Sequence, residues 1–86
     1  MANWKYKLKI KDLLGENTSP EVVKKCCADV IKRIKAFMGK YPVIGWELDD
    51  IIDRFAGVVE DGDVGEFNST LDELYNWADR ELVWVE

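Results

Sequence analysis

Over residues 4–11 apolar and basic positions alternate strictly, with Trp4, Tyr6, Leu8 and Ile10 on one side and Lys5, Lys7, Lys9 and Lys11 on the other. Successive side chains of a strand point to opposite faces, so this period of two predicts a half-buried strand. A lysine row on its outer face suits a sheet edge, where like charge discourages pairing with another chain. After turn residues at 15–20 the period changes. Val22, Val23, Cys26, Cys27, Val30, Ile31, Ile34, Phe37 and Met38 recur at three- and four-residue intervals, the stripe of an amphipathic helix. Thr18 and Glu21 have capping-box spacing, Pro20 falls in the first turn, and Gly39 offers a stop.

A second helix is expected from Gly45 or Trp46, with Leu48, Ile51, Ile52, Phe55 and Val59 as its seam and Gly57 weakening or ending it. Glu47, Asp49 and Asp50 crowd its first turn, where negative charge meets the positive end of the helix dipole. Asp63 and Glu66 repeat the capping spacing, and Phe67, Leu71, Leu74, Tyr75 and Ala78 trace a third helix to Arg80 or Glu81. Residues 82–86, Leu-Val-Trp-Val-Glu, read as a short terminal strand. A lone strand leaves its backbone groups unpaired, so the two terminal strands are expected to pair with each other, or one of them with a partner chain. The sequence thus predicts an α+β fold in one domain, β-α-α-α-β, with three helices on one side of a two-stranded sheet. Its expected core is Val23, Cys27, Ile31, Ile34, Leu48, Ile52, Phe55, Phe67, Leu71 and Leu74.

Composition narrows the chemistry. The 86 residues contain no His, and the only cysteines, Cys26 and Cys27, are adjacent and lie in the apolar stripe. That excludes a disulfide framework and a CxxC site, and it favours buried, inert thiols over a reactive thiolate. The N-terminal residues lack the apolar run of a secretory signal, and no stretch approaches a membrane-spanning length. A reduced, cytoplasmic, soluble protein with no membrane partner is the expectation. No nucleophile elbow, Walker loop, dinucleotide fingerprint or zinc-protease motif occurs, so neither a cofactor nor an enzymatic role is expected. Residues 61–66, Asp-Gly-Asp-Val-Gly-Glu, resemble the start of a calcium loop, but Gly65 and Glu66 are wrong for its fifth and sixth positions. No metal site is expected there.

Charge changes the picture more. Residues 1–40 carry ten Lys or Arg against four Asp or Glu, a balance of +6, whereas residues 41–86 carry two against thirteen, a balance of −11. The plainest outcome is that the basic face of the first helix pairs with acidic neighbours across the fold. The functional alternative is a non-catalytic interaction module whose acidic surface, centred on Asp49, Asp50, Asp53, Glu60, Asp61 and Asp63, docks on a basic face of an unidentified protein partner. In its sharpest form such a surface imitates phosphate charge and blocks a nucleic-acid-binding protein. A competing surface is the row Lys5, Lys7, Lys9 and Lys11, which would neutralise phosphates of a nucleic acid. The net charge of −5 and the lack of any nucleic-acid-binding motif argue against that partner. Among the four tryptophans, Trp77 stands off the best apolar seam and Trp46 sits at a helix entrance, so one of these two is a candidate for an exposed binding anchor.

Asn3-Trp4 near the start, and Leu74-Tyr75-Asn76-Trp77-Ala78-Asp79 followed by Val83-Trp84-Val85 near the end, resemble the corresponding segments of a group of small bacterial or phage-associated proteins. Those proteins have no established function, so the resemblance implies a setting and no activity.

Overall fold

The computed structural model describes residues 8, 10 and 12–82. Its principal elements are three helices: α1 (Pro20–Lys40), α2 (Asp49–Asp61) and α3 (Val64–Glu81). A single helical turn, Pro42–Gly45, and a 3-10 turn, Trp46–Leu48, connect α1 to α2.

Each helix forms where its apolar residues recur on one face and its ends are capped. In α1 the buried residues are Val23, Cys27, Val30, Ile34 and Phe37, alternating four- and three-residue steps along one seam. The cap is Ser19, whose hydroxyl accepts from the Val22 N–H at 3.4 Å. Thr18, one residue earlier, instead donates its hydroxyl to the Gly15 carbonyl at 2.7 Å and closes the preceding turn. The helix runs past Gly39 to Lys40 and stops at Tyr41, where the clash between Pro42 and its preceding residue disfavours helical backbone.

Helix α2 runs straight through Gly57 and ends at Gly62, which adopts φ 69°. That left-handed conformation is cheap only for glycine, and it turns the chain within one residue into the next cap. Asp63 then accepts from the N–H groups of Gly65 and Glu66 at 2.9 and 3.3 Å. This capped turn accounts for the acidic run that resembles a calcium loop.

The helices share one core. Helix α2 lies between α1 and α3 and makes the larger part of the contact with each. Phe55 of α2 meets Phe67 of α3 at 5.7 Å between ring centres, and Phe37 of α1 meets Trp77 of α3 edge-on at 6.4 Å. The segment before α1 is strapped to α3 by the Asn68 amide, which accepts from the Leu14 N–H at 2.8 Å and donates to the Leu14 carbonyl at 2.7 Å. Thr70, fully buried, satisfies its hydroxyl on the Glu66 carbonyl at 2.8 Å. Of the residues expected in the core, Ile31 and Ile52 are only half-buried and pack against its edge, and the others are buried.

The α+β expectation is corrected. Among the described residues there is no strand, and the described residues of both expected strands, Leu8, Ile10 and Leu82, are not in one. Leu8 is helical and buried in the common core, and Ile10 belongs to no regular element. Leucine is a good helix former, so at Leu8 burial in the core outweighs the local alternation. At the other end Leu82 caps α3, donating its N–H to the Ala78 carbonyl, and is fully buried. It continues the seam Phe67, Leu71, Leu74, Ala78 at helical spacing, so the terminal apolar run opens as the last step of a helix. The rest of the two expected strands lies outside the described residues.

Candidate functional site

The six carboxylates expected to form an acidic surface, Asp49, Asp50, Asp53, Glu60, Asp61 and Asp63, are all exposed. They do not form one cluster. With about 100° of rotation per residue, Asp49, Asp53 and Glu60 fall within about 40° of one another on α2, opposite the buried Ile51 and Val58. Asp50 and Asp61 lie about a quarter-turn round the same helix, on the side of Arg54. Asp63 sits beyond the helix end with its carboxylate committed to capping α3.

The line Asp49–Asp53–Glu60 is extended, with its ends about 16 Å apart along the axis. Carboxylates that act together on one bond stand about 5–10 Å apart and converge from different elements. This line instead presents negative charge along a helix, the form that matches an extended basic surface.

Among the described residues no ion pair involves that line. The ion pairs among the described residues are Arg33 with Asp29 at 2.9 Å within α1, Arg54 with Glu73 between α2 and α3, and Arg80 with Glu81 at 3.4 Å within α3. None of these joins α1 to α2 or α3. Among the described residues, then, the basic face of α1 forms no ion pair with the acidic half, unlike the plainest expectation from the sequence. The Arg54 guanidinium, hydrogen-bonded to Glu73, is held above its ordinary pKa by that bond, although burial opposes it. Lys5, Lys7, Lys9 and Lys11 lie outside the described residues.

The two candidate tryptophans separate cleanly. Trp77 is buried, stacked edge-on against Phe37, and its Nε1–H donates to a Glu47 carboxylate oxygen at 2.7 Å. Trp46 is 65% exposed, and Val43 beside it is 83% exposed. Sequence position alone, off the seam for Trp77 and at a helix entrance for Trp46, does not tell them apart. What separates them is the partner Glu47, thirty residues from Trp77, which no local pattern reveals.

The thiols follow the expectation of burial in part. Cys27 is fully buried, its Sγ donating to the Phe55 carbonyl at 3.0 Å, whereas Cys26 is half-buried. Burial pushes the Cys27 thiol up to about 12, and the neighbouring Cys26 adds to the shift, so the nucleophilic thiolate is suppressed at neutral pH. Tyr75 is likewise pushed up to about 12, chiefly by burial, with Asp12 and Asp72 adding. Among the described residues no helix is long and apolar enough to cross a membrane. Comparison with protein-family models, with curated proteins and with solved structures finds no match to this chain.

Proposed function

We propose that this chain is a non-catalytic, cytoplasmic interaction module that docks the acidic face of α2 on a basic surface of another protein. The supporting observation is the charge that the fold leaves unspent: Asp49, Asp53 and Glu60 are exposed in line, and no ion pair among the described residues links α1 to α2 or α3. Exposed ion pairs contribute little to stability, so a fold loses little by leaving these carboxylates free. Complementary potential, by contrast, speeds encounter with a basic partner and rejects acidic ones. Asp50 and Asp61 flank the line and extend the field, whereas Asp63 contributes less because its carboxylate caps α3.

The test is capture from lysate on the tagged full chain at about 0.1 M and about 1 M salt, between which the screening length falls from about 10 to about 3 Å. A protein retained at the lower salt, released at the higher, and lost with Asp49→Asn/Asp53→Asn/Glu60→Gln supports the reading. Retention that ignores those substitutions removes the proposed surface. Recovery of nucleic acid, abolished by neutralising Lys5, Lys7, Lys9 and Lys11, replaces the reading with phosphate binding by the lysine row. Capture of nothing under either condition also counts against it.

A further inference from the structure

The acidic line does not end at Asp49. The connector leading into α2 carries the largest apolar exposure among the described residues, with Val43 83% and Trp46 65% exposed and Tyr41 next to them at 36%. Val43, Trp46 and Asp49 follow one another at three-residue steps through the helical and 3-10 turns, then Asp53 and Glu60 follow at four and seven. Residues at such spacing share one face of a helical path. An apolar head therefore leads into an acidic tail, and the two form one stripe along the path from the connector into α2.

The head is held in place. Glu47 is tied to the Trp77 indole at 2.7 Å, and Leu48 is fully buried, so the two residues after Trp46 anchor the 3-10 turn to the core. Successive residues of a 3-10 turn point about 120° apart, so fixing Glu47 and Leu48 turns Trp46 outward. A tryptophan on an anchored turn has its backbone fixed before binding, which lowers the entropy a partner must overcome. Tryptophan is also among the residue types most enriched at the energetic centre of an interface.

We propose that this stripe is the docking site for a basic amphipathic segment of a partner protein. An apolar side chain of that segment covers Val43 and Trp46, and its Lys or Arg side chains lie along Asp49, Asp53 and Glu60. Charge complementarity selects this occupant. The stripe repels nucleic acid, anionic lipid and the same stripe of a second copy. Arginine suits the junction best, since a guanidinium stacks on an indole face while pairing with a carboxylate. The inference rests on the acidic docking reading above and adds the apolar anchor and the partner's chemistry.

Two synthetic helical peptides of equal positive charge, one of Arg and Leu and one of Arg and Ser, serve as probes in calorimetric titrations of the full chain. The Arg-Leu peptide is expected to bind about tenfold or more tightly than the Arg-Ser peptide. Trp46→Ser should erase that preference and leave the Arg-Ser affinity unchanged, while Trp46→Phe retains it. Asp53→Asn/Glu60→Gln should weaken both peptides. Equal affinities, or indifference to Trp46→Ser, overturn the anchor and leave acidic docking standing. Indifference of both peptides to the carboxylate substitutions, or no binding of either at about 1 mM, overturns acidic docking as well. Sedimentation showing a dimer of the full chain that Trp46→Ser converts to monomer makes a second copy the occupant and overturns the proposal.

Discussion

The same substitution at two glycines five residues apart should change stability in opposite directions. Gly62 holds φ 69°, a conformation that costs an alanine about 1–2 kcal/mol. A Cβ there would also stand 2.8 Å from Pro20 Cβ, 3.0 Å from the Pro20 carbonyl oxygen and 3.1 Å from Lys24 Cε. The lysine tip can swing aside. Pro20 cannot, because it is the first residue of α1 and moves only with the helix. Relieving such overpacking costs about 1–3 kcal/mol, so Gly62→Ala should lose about 2–5 kcal/mol in all. Gly57 lies within α2, and a Cβ added there would meet nothing within 4 Å. At that position alanine removes unfolded-state entropy without strain and should gain about 0.5–1 kcal/mol. Urea unfolding of the two variants against the parent, with unchanged slope, measures both. A loss under about 0.5 kcal/mol for Gly62→Ala, the range of ordinary surface changes, would refute the tight turn against α1. A loss at Gly57 would refute the unbroken α2.

Three further outcomes follow from the packing. Leu71→Ala empties a fully buried site and should cost about 2–5 kcal/mol in the same unfolding assay. Asn68→Ala removes both bonds to Leu14 and should cost about 1–2 kcal/mol while raising hydrogen exchange at the Leu14 amide. The raised Cys27 and Tyr75 values make the folded state hold protons that the unfolded chain releases from about 9 and 10, so stability is intact below pH 9 and falls as pH rises toward about 12. The melting temperature should track that fall, and a Cys27→Val variant should lose it less steeply over the lower part of the range.

What the sequence discloses and what it conceals follows the range of the interactions. The stripe from Val23 to Phe37 and the Asp63 cap are legible because a helix repeats its environment every three or four residues and a cap bonds within three. Gly62 is less so. Its left-handed turn suits the Asp-Gly-Asp run, but the crowding by Pro20 that makes glycine obligatory comes from a residue 42 positions away. Trp77 fails for the same reason. By angle it lies on the flank of α3, and it is buried only because Phe37 and Glu47 cover that flank. The terminal segments fail differently, since Leu8 and Leu82 each fit two periods and the core decides between them. For the candidate site, the identities and exposure of the acidic residues are readable from the charge pattern. Their alignment on one face of α2 follows from helical periodicity, whereas the lack of an ion pair joining α1 to α2 or α3 among the described residues depends on how the helices sit.

The most direct test of that separation of charge is the stability of Asp53→Asn/Glu60→Gln. Neither carboxylate takes part in an ion pair among the described residues, and the last turn of α2 contains no basic residue to offset Glu60 against the negative end of the dipole. Relieving that repulsion is worth about 0.3–1 kcal/mol at an exposed site. Urea unfolding at low salt should therefore find the double variant as stable as the parent or more stable by up to about 1 kcal/mol. A loss exceeding about 1 kcal/mol, beyond what an exposed pair typically contributes, would mean that the basic half already holds these carboxylates and would contradict the free acidic face.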